Sequence, residues 1–149
     1  MALSTTQSIW RSGGGDQTRT AYCGSGVMAA GFYIADGSAS ANVKVSSAAG
    51  APNLILPAGA VVLSVVITDA GTGTIDLGTT GYSSGTADTN AIASGLDVSA
   101  VGTETAGLTN AASTEMSYVT STDNTSGGGT IGGYITYFIV DPLVGQQNV

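Results

Sequence analysis

The chain of 149 residues is long enough for one domain with its own hydrophobic core, so disulfide staples are not required. Its formal net charge is −7 and its only cations are Arg11, Arg19 and Lys44, which excludes the clustered Lys and Arg that a nucleic-acid binder needs to displace counterions from phosphate. Charged residues make up 9% of the chain, glycines number 23 and mean hydropathy is +0.28, a balance that excludes disorder and favours short strands separated by turns.

Residues 1–16 read as an extended N-terminal arm. Polar Ser4 to Ser8 lead to Ile9-Trp10-Arg11, and Ser12-Gly13-Gly14-Gly15 then breaks regular structure. Trp10 is the sole tryptophan. Either it folds back on its own domain, or Ile9 and Trp10 anchor the arm to a neighbour, as aromatic anchors do in interfaces. Met1-Ala2-Leu3-Ser4 lacks the basic and apolar parts of a signal peptide, and no apolar run approaches the roughly 20 residues of a membrane span. Synthesis in a cytoplasm and no membrane partner are expected.

The β domain is expected over residues 17–142. Thr18 to Gly24 alternate as a strand would, and Val27 to Ile34 reads as one strand with Gly31 as a kink. Asp36-Gly37-Ser38 is a turn, followed by a strand pattern from Ala39 to Val45. Val61 to Ile67 is the densest apolar run, and all its apolar residues except Leu63 are β-branched, which suits a packed, pleated surface. Asp69 to Gly73 reads as a reversal into a second strand, Thr74 to Gly78. Asp88 to Ser94 reads as a helical turn or an edge excursion, Gly102 to Gly107 as a hairpin-length loop, Glu115 to Thr120 as a strand, and Asp123 to Gly129 as a long turn.

The last strand, Thr130 to Val140, places Ile131, Gly133, Ile135, Tyr137 and Ile139 on one face and Tyr134, Thr136, Phe138 and Val140 on the other. Apolar residues on both faces predict a central strand, or one whose outer face a neighbour covers. Asp141-Pro142 ends it, and 143–149 reads as a flexible C-terminal tail. About eight strands result. They predict an all-β fold: an antiparallel β-sandwich, jelly-roll-like if strands cross between the sheets.

Several of these segments also carry a resemblance. Asn53 to Val62 with Leu56-Pro57-Ala58-Gly59, then Val65-Val66-Ile67, Ile75 to Thr79, the stretch Ser83 to Ala93, Gly95 to Ser99, and Thr130 to Val140 resemble tailed-bacteriophage capsid decoration (cement) and small head structural proteins. The resemblance covers residues 53–141 and leaves the first 50 untouched. It implies a virion component on the capsid surface with a β-sandwich body, whose partner is the major capsid protein and whose preferred state is a homotrimer at capsomer junctions. Ile9, Trp10, Tyr134 and Phe138 are then the expected partner-contacting residues. The alternative is a receptor- or glycan-binding β-module of a head or tail fibre, with Tyr82 and Tyr118 lining a shallow site.

Chemistry has little to stand on. With no histidine, and Cys23 as the only cysteine, neither an intrachain disulfide nor a zinc site can form, and the serines lack a base. Asp69 with Asp76, or Asp88 with Asp97, are the carboxylate pairs to weigh, yet turn aspartates serve local backbone bonds without any catalytic role. Structural calcium is the one metal chemistry left open, through Asp69 to Asp76. That loop lacks the Asp/Asn alternation and closing Glu of an EF-hand, so no metal or cofactor is expected. Lys44 reads as a solvated edge guard, with a crosslink to an Asn or Asp as its chemical alternative.

Overall fold

The computed structural model describes residues 27–139. The expected arm with Ile9 and Trp10, the strand pattern around Cys23 and the tail over 143–149 lie outside the described residues.

Nine strands follow one another: β1 (Met28–Ile34), β2 (Ala41–Asn42), β3 (Ile55–Leu56), β4 (Ala60–Asp69), β5 (Thr72–Gly81), β6 (Ala87–Asp97), β7 (Gly102–Glu104), β8 (Ser117–Gly128) and β9 (Ile131–Ile139). They form two antiparallel sheets, one ordered β1-β9-β4-β7 and the other β2-β8-β5-β6, with β3 also on β8. Side chains from both inner faces meet in one core. Phe32, Ile34, Val62, Val65, Ile67, Ile131 and Ile135 come from the first sheet, and Leu56, Ile75, Leu77, Ile92, Leu96 and Val119 from the second. The fold is an all-β sandwich, as the sequence predicts.

The chain path follows from which strands pair. β1 pairs with β9, β2 with β8, β4 with β7 and β5 with β6, so one long antiparallel ribbon rolls around the core. The chain passes from one sheet to the other between successive strands, β4 and β5 among them. Backbone bonds seal a corner where the chain crosses. Tyr33 and Lys44 exchange bonds of 2.8 and 2.9 Å, while the Val43 N–H donates to Val119 O at 2.9 Å.

Several predicted elements are corrected. β4 and β5 do not form a hairpin: the 69–73 segment carries the chain from one sheet to the other, so the strongest apolar strand and its successor face each other across the core. Of the two readings of Asp88 to Ser94 the helical turn is excluded and the edge position holds: the segment is part of β6, an edge strand whose first four residues are exposed and show no inward–outward pattern to read. Gly102 to Glu104, taken as loop, add an edge strand to β4. The segment from Asp123 to Gly128, taken as turn, is strand because β5 pairs with it, though irregularly: the register shifts around Thr74, where the Asp123 carboxylate accepts the Gly127 N–H at 2.6 Å. The strand expected over Ala39 to Val45 shrinks to Ala41–Asn42 with a bridge at Lys44.

β9 is the central strand its two apolar faces predict, bonded to β1 on one side and β4 on the other. Its approach to both neighbours is close. A Cβ at Gly133 would collide with the Val66 carbonyl and meet the Phe32 ring at 3.0 Å, so only glycine lets the three strands pack at this row.

Candidate functional site

Among the described residues, outward aromatic side chains occur on both sheets, one group on each. On the first sheet, strand alternation turns Tyr134, Thr136 and Phe138 away from the core, while Tyr137 packs partly against it. Cross-strand pairing sets Val66 opposite Tyr134, and Val61 opposite Phe138. Ser64 and Thr136 share a short hydroxyl–hydroxyl hydrogen bond between those two apolar rows. Tyr134 is 51% exposed, and Gly31, its partner on β1, adds no side chain to cover it. A register shift between Val62 and Ser64 bulges Leu63 out to solvent beside this stripe. Val61 is buried yet lies apart from the main core, in keeping with cover from its partner Phe138. The structure thus brings Tyr134 and Phe138, both singled out in the sequence, onto one outer face.

The second sheet differs. Its outer face carries Thr74, Asp76 and Thr80 from β5 and Thr120, Thr122 and Asn124 from β8, all neutral except Asp76. Asp76 Oδ1 accepts the Gly95 N–H and the Asn124 Nδ2 donor, each at 2.8 Å, so the carboxylate is occupied by structure. At one end this polar face turns aromatic. Tyr82 and Tyr118 pack with ring centroids 5.3 Å apart and planes tilted by 37°. Met116 and Ile55, both exposed, flank them: Ile55 is the cross-strand partner of Tyr118, and Met116 O accepts the Tyr82 N–H at 2.9 Å. The sequence singled out the two tyrosines as loop aromatics; Ile55 and Met116 it missed, because Ile55 reads as core between Leu54 and Leu56 and Met116 is a lone apolar residue without periodicity.

Beneath Tyr82 sits an anchored turn. Glu115 Oε2 accepts the N–H groups of Ser83 and Ser84 at 3.1 and 3.3 Å, and Ser84 Oγ donates to Oε1. These bonds, led by the Ser84 hydroxyl, hold the Glu115 carboxyl below its ordinary value. A Cβ at Gly81 would push aside the Glu115 carboxylate and the Ser84 hydroxyl, so glycine there leaves room for their bond.

The carboxylate pairs weighed in the sequence are not joined in this way. Asp69 sits opposite Gly132 in the first sheet and Asp76 in the second, so no hairpin brings them together. Asp88 accepts the Asn90 N–H and Asp97 caps Ser99, each serving a local turn; the Ser99 bonds lower the Asp97 pKa. No group of three or more metal-ligating His, Cys, Asp or Glu occurs among the described residues. Lys44 Nζ donates to Asn53 Oδ1 at 2.7 Å, an exposed hydrogen bond that closes the 44–53 loop. A cavity of about 40 Å³ lies under the 109–113 segment, lined by Leu56, Val62, Thr79 and Ile92 among others; it is too small for anything beyond a water or two.

Comparison with protein-family models and with curated proteins returned no match. Among solved structures, the chain is similar to one in the "Cyanophage Pam1 capsid asymmetric unit", with a TM-score of 0.44 and 22% identity, covering 78% of this chain and 87% of that one. Likeness at that level leaves function to be argued from the residues.

Proposed function

We propose that the protein is a structural component of a phage virion that docks on the outer surface of the capsid and stabilises capsomer junctions. The observation that carries this reading is the outward stripe on β9 and β4, where Tyr134, Val66, Phe138 and Val61 make an apolar face on central strands. A sandwich needs only its inner faces to be apolar. Apolar residues on an outer face therefore cost solubility unless something covers them, and tyrosine and phenylalanine are the residues that dominate interfaces. The sequence resemblance over 53–141 supplies the class of partner, the major capsid protein. A homotrimer is the assembly proposed, and the scarcity of charge suits a surface that is covered rather than solvated.

The test is quantitative mass spectrometry of purified virions. A copy number near that of the major capsid protein, or a simple fraction of it, supports the reading, and absence from the particle sinks it. Tyr134→Ser is expected to weaken attachment to heads by about tenfold, the loss of one interface anchor, while leaving the unfolding midpoint unchanged. Deleting residues 1–15 asks whether Ile9 and Trp10 add to that attachment.

A further inference from the structure

We infer that the Tyr82–Tyr118 pair is a binding site for the face of an uncharged pyranose sugar, presented by the turn after β5. The inference stands apart from capsid attachment, because the pair lies on the second sheet and the proposed docking stripe on the first.

The argument begins with how the rings are held. Tyr118 is fixed in β8 between Ile55 of β3 and Thr80 of β5. Tyr82 is fixed by its turn: its N–H bonds to Met116 O, the Gly81 N–H bonds to Thr86 O at 2.9 Å, the Gly85 N–H returns to Gly81 O at 3.0 Å, and Glu115 ties down Ser83 and Ser84. None of these bonds serves the core, since residues 82–86 are exposed throughout. What they accomplish is to hold a ring that is 51% exposed in one orientation, so its ordering entropy is spent before any ligand arrives.

The shape and charge of the patch then select the ligand. The two rings pack on one another, tilted with centroids 5.3 Å apart, so Tyr118 backs Tyr82 and the 51% exposed Tyr82 ring is the apolar face offered to a sugar ring. Aromatic faces are electron-rich and attract the polarised C–H groups on a pyranose face, while the phenolic hydroxyls and Thr80 give neutral donors and acceptors for the sugar's hydroxyl rim. The nearest charge, Glu115, is engaged with the turn's own donors, and Lys44 is the only cation among the described residues. Among the described residues an anionic ligand meets no cation at this patch, and the formal charge of −7 opposes it.

The test uses the full chain on an array of neutral and anionic glycans, followed by NMR titration of the best neutral hit. Saturable binding is expected, with upfield ring-current shifts of the sugar C–H protons. Tyr82→Ala is expected to weaken it by about tenfold or more, and Tyr134→Ser to leave it unchanged. A second variant, Met116→Lys, blocks the platform from its flank without touching either ring. No saturable binding to a neutral glycan, binding restricted to anionic glycans, or binding indifferent to both platform variants would overturn the inference. So would finding that Tyr82→Ala impairs attachment to heads and nothing else, which would make the patch a protein contact. Failure of Tyr134→Ser to affect head attachment bears only on the proposed capsid role.

Discussion

Glu115 gathers three donors from a two-residue stretch, and its carboxyl is held below its ordinary value of 4.5 by them. A folded-state pKa below the unfolded one means that the contribution is fully present above the unfolded value and is lost as pH falls through the folded one. Asp36 and Asp97 act in the same direction from an ordinary value of 3.8, each lowered by the hydroxyl and N–H of the serine two residues on. Thermal unfolding followed downward from pH 6 is therefore expected to show a steady midpoint until below about 4.5, and then a fall. Glu115→Gln should flatten part of that fall. Loss of the charge also weakens the tether of Tyr82, so the variant should give faster hydrogen exchange at Ser83 and Ser84 with little change in the core amides. The conformational role of Glu115 was not legible in the sequence, where it opens a strand pattern; the partners that define it lie more than 30 residues earlier.

At the scale of the element, β9 governs the first sheet. Its two apolar faces were readable as alternation, and they correctly predict a strand paired on both sides. The close approach at Gly133 was not readable, because a glycine in a strand pattern signals a bulge, a bend or a tight contact without saying which. Gly133→Ala forces a methyl against the Val66 carbonyl and the Phe32 ring, and is expected to cost about 3 kcal/mol or more, read as a lowered urea midpoint at constant slope. The elements misread fail for a common reason. β-branched density marks β4, but β6 begins with four exposed residues, three of them polar, and β8 ends in Asp, Asn, Ser and Gly that favour turns when alone. Pairing to β5 makes both into strand, β6 as the next strand along the chain and β8 from far along it, and neither segment shows that pairing on its own. The same holds for β4 and β5, whose adjacency in sequence suggests a hairpin although they belong to opposite sheets.

For the whole molecule, the pairing of β1 with β9 joins Met28 to Tyr137, nearly the full length of the described chain. Closing such a loop precedes any reward from the contacts it makes, so folding is expected in milliseconds to seconds rather than microseconds. Stopped-flow refolding from urea checks this, and Ile135→Ala, deep in β9, should slow refolding only if that strand docks in the transition state. The strand that completes the sheet carries a further consequence for a protein held by its flanks. β1 starts and β9 finishes at the same end of the sheet, with seven residue pairs between them. A pull applied across residues 27 and 139 opens that seam like a zipper, one pair at a time, whereas a load spread over the outer face of β9 and β4 is borne by every rung at once. Mechanical strength in this molecule therefore depends on where it is gripped: weak by its ends, strong by its face.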